Sequence, residues 1–218
     1  MISIAGRASN TVRLTLTWSG CWEVLTAFED KGLAGTVVID WRGWKLTGQV
    51  DTTRSGLFAG QPAAIIVGGL AWCSRRTWRP SNDDRGLTAK NVAKSIASQL
   101  GQTIEVSLDR NLGRIFMPRN ESGGAILTRL YGKDWHIGTD GVARVQKRPT
   151  PAIGKSVAVL KYEPRDGMAT VYADRPDQAP LGALLPKDSR LTTNRRITKL
   201  VASASGSKER IVCYTEAV

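Results

Sequence analysis

The sequence predicts a mainly β protein with an α+β insert, on three observations. Apolar and polar residues alternate strictly over 11–18, a continuous apolar run fills 63–67, and helix-period spacing is confined to 88–131. In the first segment Val12, Leu14, Leu16 and Trp18 share one face, and Thr11, Arg13, Thr15 and Thr17 the other. Period two with β-branched residues specifies a half-buried strand. Residues 35–40 make a second strand, Trp41-Arg42-Gly43-Trp44 a tight turn, and Trp44, Leu46, Gly48 and Val50 continue the alternation. The run 63–67, closed by Gly68-Gly69, reads as a strand buried on both faces. Residues 1–81 are therefore expected to form one antiparallel β unit.

A polar stretch at 81–86 reads as a loop. Thr88 then caps a helix with Val92, Ile96 and Leu100 on one face, Ala89, Ala93 and Ala97 beside them, and Gly101 as its stop. Short strands follow at 104–108 and 113–117. Ser122 opens a second helix through Ala125, Ile126, Leu127, Leu130 and Tyr131, ended by Gly132. Strands at 135–137 and 142–145 flank Asp140-Gly141, a strong hairpin signal. Residues 82–148 thus read as an α+β insert. Arg148-Pro149-Thr150-Pro151 forbids helix and reads as a linker. Beyond it, 157–162 and 168–172 form a hairpin across Pro164-Arg165-Asp166-Gly167, and 197–202 pairs with 210–214 across Ser205-Gly206-Ser207. Residues 149–218 make the second β unit.

Composition narrows the function. The 218 residues carry 31 Lys+Arg against 19 Asp+Glu, a formal charge of +12. No run of five like charges concentrates the excess, so it gives general attraction to polyanions or acidic proteins without defining a groove. No stretch of 18 apolar residues predicts a membrane helix, and the N-terminus lacks the pattern of a signal peptide. Cys21, Cys73 and Cys213 are too scattered for a disulfide framework and read as buried thiols in a reducing compartment. They could hold a metal only if three distant segments converged with His136 as a fourth ligand. His136 is the one histidine and reads as satisfied or solvent-facing, because Asp134 and Asp140 are merely sequence neighbours. Neither Gly68-Gly69 nor Gly123-Gly124 fits a phosphate loop. The expectation is no catalytic residue, no metal, no cofactor and no enzyme.

Six of the seven tryptophans lie in the first 80 residues. They read as core fillers or rim seals, while the segment 72–79, with Trp72, Arg75, Arg76, Trp78 and Arg79, also partly fits a base-stacking platform. Leu57 and Phe58, between Gly56 and Gly60, form an apolar loop tip that either meets a partner or tucks inward. Arg210, Ile211, Val212 and Tyr214 lie in a strand with nothing after it to form a further hairpin. They read as an open edge to be closed by a neighbouring subunit.

Residues 113–145 carry a recognisable pattern. Gly113-Arg114-Ile115-Phe116-Met117-Pro118-Arg119 leads into the helix of Ala125, Ile126, Leu127 and Leu130, followed by Trp135-His136-Ile137 and Asp140-Gly141-Val142-Ala143-Arg144-Val145. This resembles the small α+β module of tail baseplate hub proteins from tailed bacteriophages. The preceding helix at 88–100 and the segments 43–50 and 68–72 are similar to the same family, so the resemblance spans about residues 40–175. It implies two tail-tube-like β-barrel units around the insert. It also implies a trimer whose paired barrels present six-fold pseudo-symmetry to a hexameric tube. The implied role is architectural: a virion protein, assembled in the host cytoplasm, that joins tail tube to tail tip. Its implied partners are its own copies, the tube, distal tail and tail-tip proteins, and a tape-measure protein, with no membrane insertion and no specific nucleic-acid binding. A distal tail or other adaptor ring is the second reading, and a single-stranded nucleic-acid-binding β-barrel is the reading of a different class.

Overall fold

The computed structural model describes residues 2–9, 11–27, 32–58, 60–187 and 190–218, and of residues 58, 84 and 85 the backbone. In chain order the elements begin with β1 (Ile2–Ile4), β2 (Arg7–Ala8), β3 (Thr11–Thr17), β4 (Trp22–Ala27), β5 (Thr36–Trp41), β6 (Trp44–Val50), β7 (Gly56–Phe58) and β8 (Gln61–Gly68). Next come α1 (Leu70–Cys73), β9 (Arg75–Arg76), β10 (Ser81–Thr88), α2 (Ala89–Leu100), β11 (Ile104–Val106), β12 (Asn111–Phe116), β13 (Glu121–Ser122) and α3 (Gly123–Tyr131). The chain closes with β14 (Trp135–Ile137), β15 (Ala143–Val145), β16 (Ala158–Glu163), β17 (Met168–Tyr172), β18 (Arg195–Ser205) and β19 (Lys208–Ala217). The fold is mainly β with an α+β insert.

Two compact units divide the chain. The first holds the described residues of 2–18, 22–67 and 149–218, and the second 19–21 with 68–148. The first unit is one twelve-stranded sheet in the order β16-β17-β19-β18-β3-β4-β8-β6-β5-β1-β2, with β7 attached to β8. The expected first and second β units therefore share a sheet. They are joined where β3 runs antiparallel to β18, Thr17 opposite Lys199 and Thr11 opposite Ser205. A pairing between segments so far apart leaves no local mark in the sequence, unlike the hairpins on either side of it.

Alternation sets the inward face as expected. Val12 and Leu14 of β3, Val24 of β4, Ile39 of β5, Leu46 of β6, Ile66 of β8 and Leu200 and Ala202 of β18 are all fully buried. Each large aliphatic side chain so placed contributes about 1.5–3 kcal/mol. The turn between β5 and β6 has both central residues at positive φ, Arg42 at 55° and Gly43 at 89°, which suits a two-residue hairpin. Asp40 Oδ1 accepts the Gly43 N–H at 2.6 Å and holds it. Gly48 matters sterically, since a Cβ there would stand 2.8 Å from both Ile66 and Trp22. Where β3 stops, the segment before β18 takes over its edge. Gly182 N–H donates to the Ile197 carbonyl at 2.8 Å and Ile197 N–H to the Ala183 carbonyl at 3.0 Å.

In the second unit α2 starts at Thr88, whose Oγ1 accepts the Asn91 N–H at 3.2 Å, and ends at Gly101 in the left-handed region. Its inward face is Val92, Ala93, Ile96 and Ala97, with Leu100 half-buried. For α3 the cap is Ser122, accepting the Ala125 N–H at 3.1 Å. The pair Gly123-Gly124 lets α3 approach two tryptophans closely. A Cβ on Gly123 would meet the Trp72 ring at 3.0 Å, and one on Gly124 the Trp135 ring at 3.0 Å. Strands β11, β15 and β14 form a sheet with β11 parallel to β15.

Two expectations change here. Residues 68–81, assigned by sequence to the first β unit, belong to the insert, because Trp72 and Trp78 are buried in its core. The polar stretch 81–86 is strand rather than loop. Within this stretch Ser81 and Asn82 pair with β12, and residues 83–86, with Gly86 at φ 106°, stand without a register partner in β12 as a bulge before Leu87 and Thr88 pair again. Five tryptophans (22, 41, 72, 78 and 135) are core fillers.

Ile96 is fully buried while Lys94 is exposed on the opposite face of α2. Ile96→Asp should therefore cost several kcal/mol by leaving a buried charge unpaired. Lys94→Asp should cost under about 0.5 kcal/mol, both read from chemical denaturation.

Candidate assembly interface

The turn that leads into β7, the strand that carries Leu57, is built by Asp51. Its carboxylate is buried at the end of β6, where Oδ1 accepts the Thr53 hydroxyl at 2.6 Å and the Thr53 N–H at 3.1 Å. Oδ2 pairs with Arg54 Nε at 2.6 Å, and Arg54 continues to Glu23 at 2.7 Å. These bonds, the Thr53 hydroxyl foremost, hold the Asp51 carboxyl below its ordinary range. The Asp51 carbonyl accepts the Ser55 hydroxyl at 2.7 Å, and Ser55 Oγ accepts the Ile65 N–H at 3.0 Å, tying the turn to β8. Strand β7 then pairs with β8, Leu57 opposite Pro62. Leu57 is 76% exposed and borders a pocket of about 400 Å³ shared with Leu33, Pro62 and Ala64. Its side chain does not tuck inward. The Phe58 side chain lies outside the described residues.

Strand β19 contradicts the open edge expected at 210–214. It is antiparallel to β18 along one side and to β17 along the other, with Val212 opposite both Val201 and Thr170. The missing partner comes from upstream, because β17 folds back beside β19 as well as pairing with β16. Arg210, Val212 and Tyr214 share the outward face, with Arg210 exposed and the other two half-buried. Ile211 and Cys213 point into the core. In the sheet order three strands, β18, β3 and β4, separate β19 from the β7–β8 hairpin, so the two groups of candidate residues are not brought together.

The outer strand at this end of the path is β16. Its register breaks between Val159 and Lys161, and the bulge leaves Leu160 55% exposed. Tyr172 of β17 is 53% exposed. Both border a groove of about 770 Å³ that also takes in Arg42, Asp174, Ser203 and Arg210. Arg42 pairs with Glu209 at 2.6 Å and donates to the Asp174 carbonyl at 3.0 Å. The Tyr172 hydroxyl donates to Asp174 Oδ1 at 2.9 Å, and this acceptor pushes the phenol pKa up. An apolar centre with a charged rim suits non-covalent contact with another protein. Sequence reading missed Leu160 and Tyr172. The available signal was the doublet Val159-Leu160, which breaks the alternation at the bulge.

Groups that could do chemistry are placed differently. His136 is half-buried, and its Nδ1 is enclosed without a hydrogen-bond partner, so this nitrogen is not satisfied. Burial, with Arg148 and Arg144 nearby, takes its pKa down to about 4, so the ring is neutral at pH 7. Of the thiols only Cys213 is buried. Cys73 is exposed and Cys21 half-buried, because α1 ends at the surface of the second unit. Among the described residues no cluster of three or more His, Cys, Asp or Glu could hold a metal, and no helix is long and apolar enough to cross a membrane.

No protein-family model and no curated protein matches the sequence. Solved structures do. The 43 kDa tail protein of prophage MuSo2 from Shewanella oneidensis superposes with a TM-score of 0.69 at 12% identity, covering 99% of this chain and 97% of that one. The E. coli c3393 protein, a type VI secretion component with structural similarity to the T4 bacteriophage tail proteins gp27 and gp5, gives 0.66 at 13% identity over 100% of this chain and 77% of its own. A tail protein from Neisseria meningitidis MC58 gives 0.62 at 14% identity, over 99% and 96%. The chain has the fold of phage tail proteins.

Because β19 is paired on both sides, amides of residues 210–214 should exchange slowly in the isolated chain, as followed by hydrogen–deuterium exchange. Asp51→Asn should destabilise the chain by about 1–3 kcal/mol through broken buried hydrogen bonds. The depressed carboxyl stabilises the fold fully above its unfolded value of about 3.9 and loses that contribution as pH falls through the lower folded value. Acid titrations of the Asn variant should therefore decline less steeply below pH ~4 than the parent.

Proposed function

We propose that this chain is a structural protein of a phage-type tail, the hub that joins tail tube to tail tip as a homotrimer. The observation that carries the reading is the near-complete correspondence with the MuSo2 tail protein in both directions, which takes in the shared sheet and the insert together. Support also comes from the exposed apolar residues Leu57, Leu160 and Tyr172, set among polar neighbours on the first unit. Such residues suit contacts with further copies and with tube, distal tail, tail-tip or tape-measure proteins in a virion assembled in the host cytoplasm. The role is architectural, without catalysis or cofactor. A distal tail or adaptor ring of six copies is the second reading, favoured by the same fold at a different stoichiometry. The single-stranded nucleic-acid reading loses its platform. Trp72 is fully buried and Trp78 nearly so, its indole N–H donating to the Glu121 carbonyl at 2.7 Å, so neither ring face can stack on a base.

Native mass spectrometry of the full chain tests the stoichiometry. Three copies are expected, and six would replace the hub with a ring adaptor. A monomer at every concentration that also shifts single-stranded DNA in a salt-dependent way would overturn the tail reading. Leu160→Asp should weaken assembly at least tenfold while moving the melting temperature of the monomer little, since this side chain is already exposed.

A further inference from the structure

We propose that Cys21 and Cys73 are a reversible disulfide site, oxidised by a small-molecule disulfide such as oxidised glutathione. The two sulfurs are 2.9 Å apart although the residues lie 52 positions apart in the chain. A bond requires about 2.05 Å, so a small approach suffices. Both belong to the second unit, and anchored backbone carries each. The strip 19–21 lies against β14, with Gly20 N–H donating to the Trp135 carbonyl at 3.2 Å and Ile137 N–H donating to the Gly20 carbonyl at 3.0 Å. Cys73 ends α1, which is seated by the fully buried Trp72, whose backbone N–H donates to the Gly69 carbonyl at 2.9 Å. The same carbonyl receives both thiols, Cys21 at 3.5 Å and Cys73 at 3.7 Å. Gly69 has φ 76°, and a Cβ there would stand 2.5 Å from Ile137, so only glycine fits where this carbonyl is presented.

The chemistry divides between an outer and an inner thiol. Cys73 is exposed, while the hydrogen bond to Cys73 and then burial push the Cys21 thiol up. Cys73 therefore reacts first. It gives its proton to solvent, and the thiolate attacks one sulfur of oxidised glutathione. The glutathione S–S bond breaks, one glutathione thiolate leaves and takes up a proton, and a mixed disulfide remains on Cys73. The Cys21 thiolate, its proton passed to solvent, then attacks the Cys73 sulfur. The mixed S–S bond breaks and the second glutathione leaves as thiolate, to be protonated in turn. Two protein thiols are oxidised, and one glutathione disulfide is reduced to two thiols. Cys213 is buried, with its thiol pushed up to about 12, and stays reduced as an internal control. The cross-link would tie the strip 19–21 to α1 and restrict the unfolded chain. None of this draws on the tail reading.

The test treats the full chain with glutathione redox mixtures, then with alkylation, peptide mapping and thermal melting. The expected result is a Cys21–Cys73 peptide lacking two hydrogens, with only Cys213 alkylated after unfolding. The melting temperature should rise by roughly 10 °C and fall back on reduction. Cys21→Ser should instead keep a stable glutathione adduct on Cys73, with no gain in melting temperature. Should that variant not fold, the map of the parent decides alone. A lasting Cys73 adduct or three free thiols in the oxidised parent would overturn the site.

Discussion

The antiparallel contact between β3 and β18 is the constraint on which the first unit depends. Seven consecutive residue pairs, from Thr17 opposite Lys199 to Thr11 opposite Ser205, join the hairpins of the early chain to those of the late chain. Without it the strands on either side would be two smaller sheets, each with an additional unpaired row of main-chain donors and acceptors. With it, Val12 and Leu14 face the same core as Leu200 and Ala202. One register thus serves two purposes, since a shift by a single residue would turn both apolar sets to solvent. The long-range character of this contact carries an entropic cost that the local hairpins do not have.

In the second unit the equivalent constraint is close approach. Glycine at 123 and 124 lets α3 lie against Trp72 and Trp135, and both rings are buried there. The Trp135 indole N–H donates to Thr128 Oγ1 at 2.9 Å, so this ring is fixed to α3 by a polar contact as well as by packing. A pair of glycines unsuited to phosphate binding is thereby explained by helix-to-aromatic packing.

Local signals were legible in the sequence and long-range ones were not. The caps Thr88 and Ser122, the Gly101 stop and the Asp140-Gly141 hairpin each act within a few residues, and each stands where its chemistry directs. So do the alternations of β3 and β6. The stretch 81–86 misled because its Asp, Asn and Gly have turn chemistry, which the structure uses in a bulge inside a strand. The second partner of β19 leaves no local signal, because the turn chemistry beside β17 specifies only its hairpin with β16. At the candidate interface, Leu57 was legible because two flanking glycines mark an exposed tip. Leu160 and Tyr172 were not, since their exposure depends on which strand ends the sheet. The proximity of Cys21 and Cys73 likewise arises from the contact of the strip 19–21 with β14, for which no local sequence pattern exists.

The sheet order also has a bearing on synthesis. A ribosome delivers β3 and β4 early, but the strand that covers the other side of β3 emerges only with residues 199–205. The intervening insert has its own core of Trp72, Ile96, Leu127 and Trp135, and can be completed while that side of β3 is still uncovered. Until β18 is made, a nascent chain therefore carries an unsatisfied edge along β3. Slow translation between the codons for β4 and those for β18 would lengthen that exposure, and chaperone demand should be greatest then. Codon choice ahead of β18 thus acts on the fate of β3, which is made long before it.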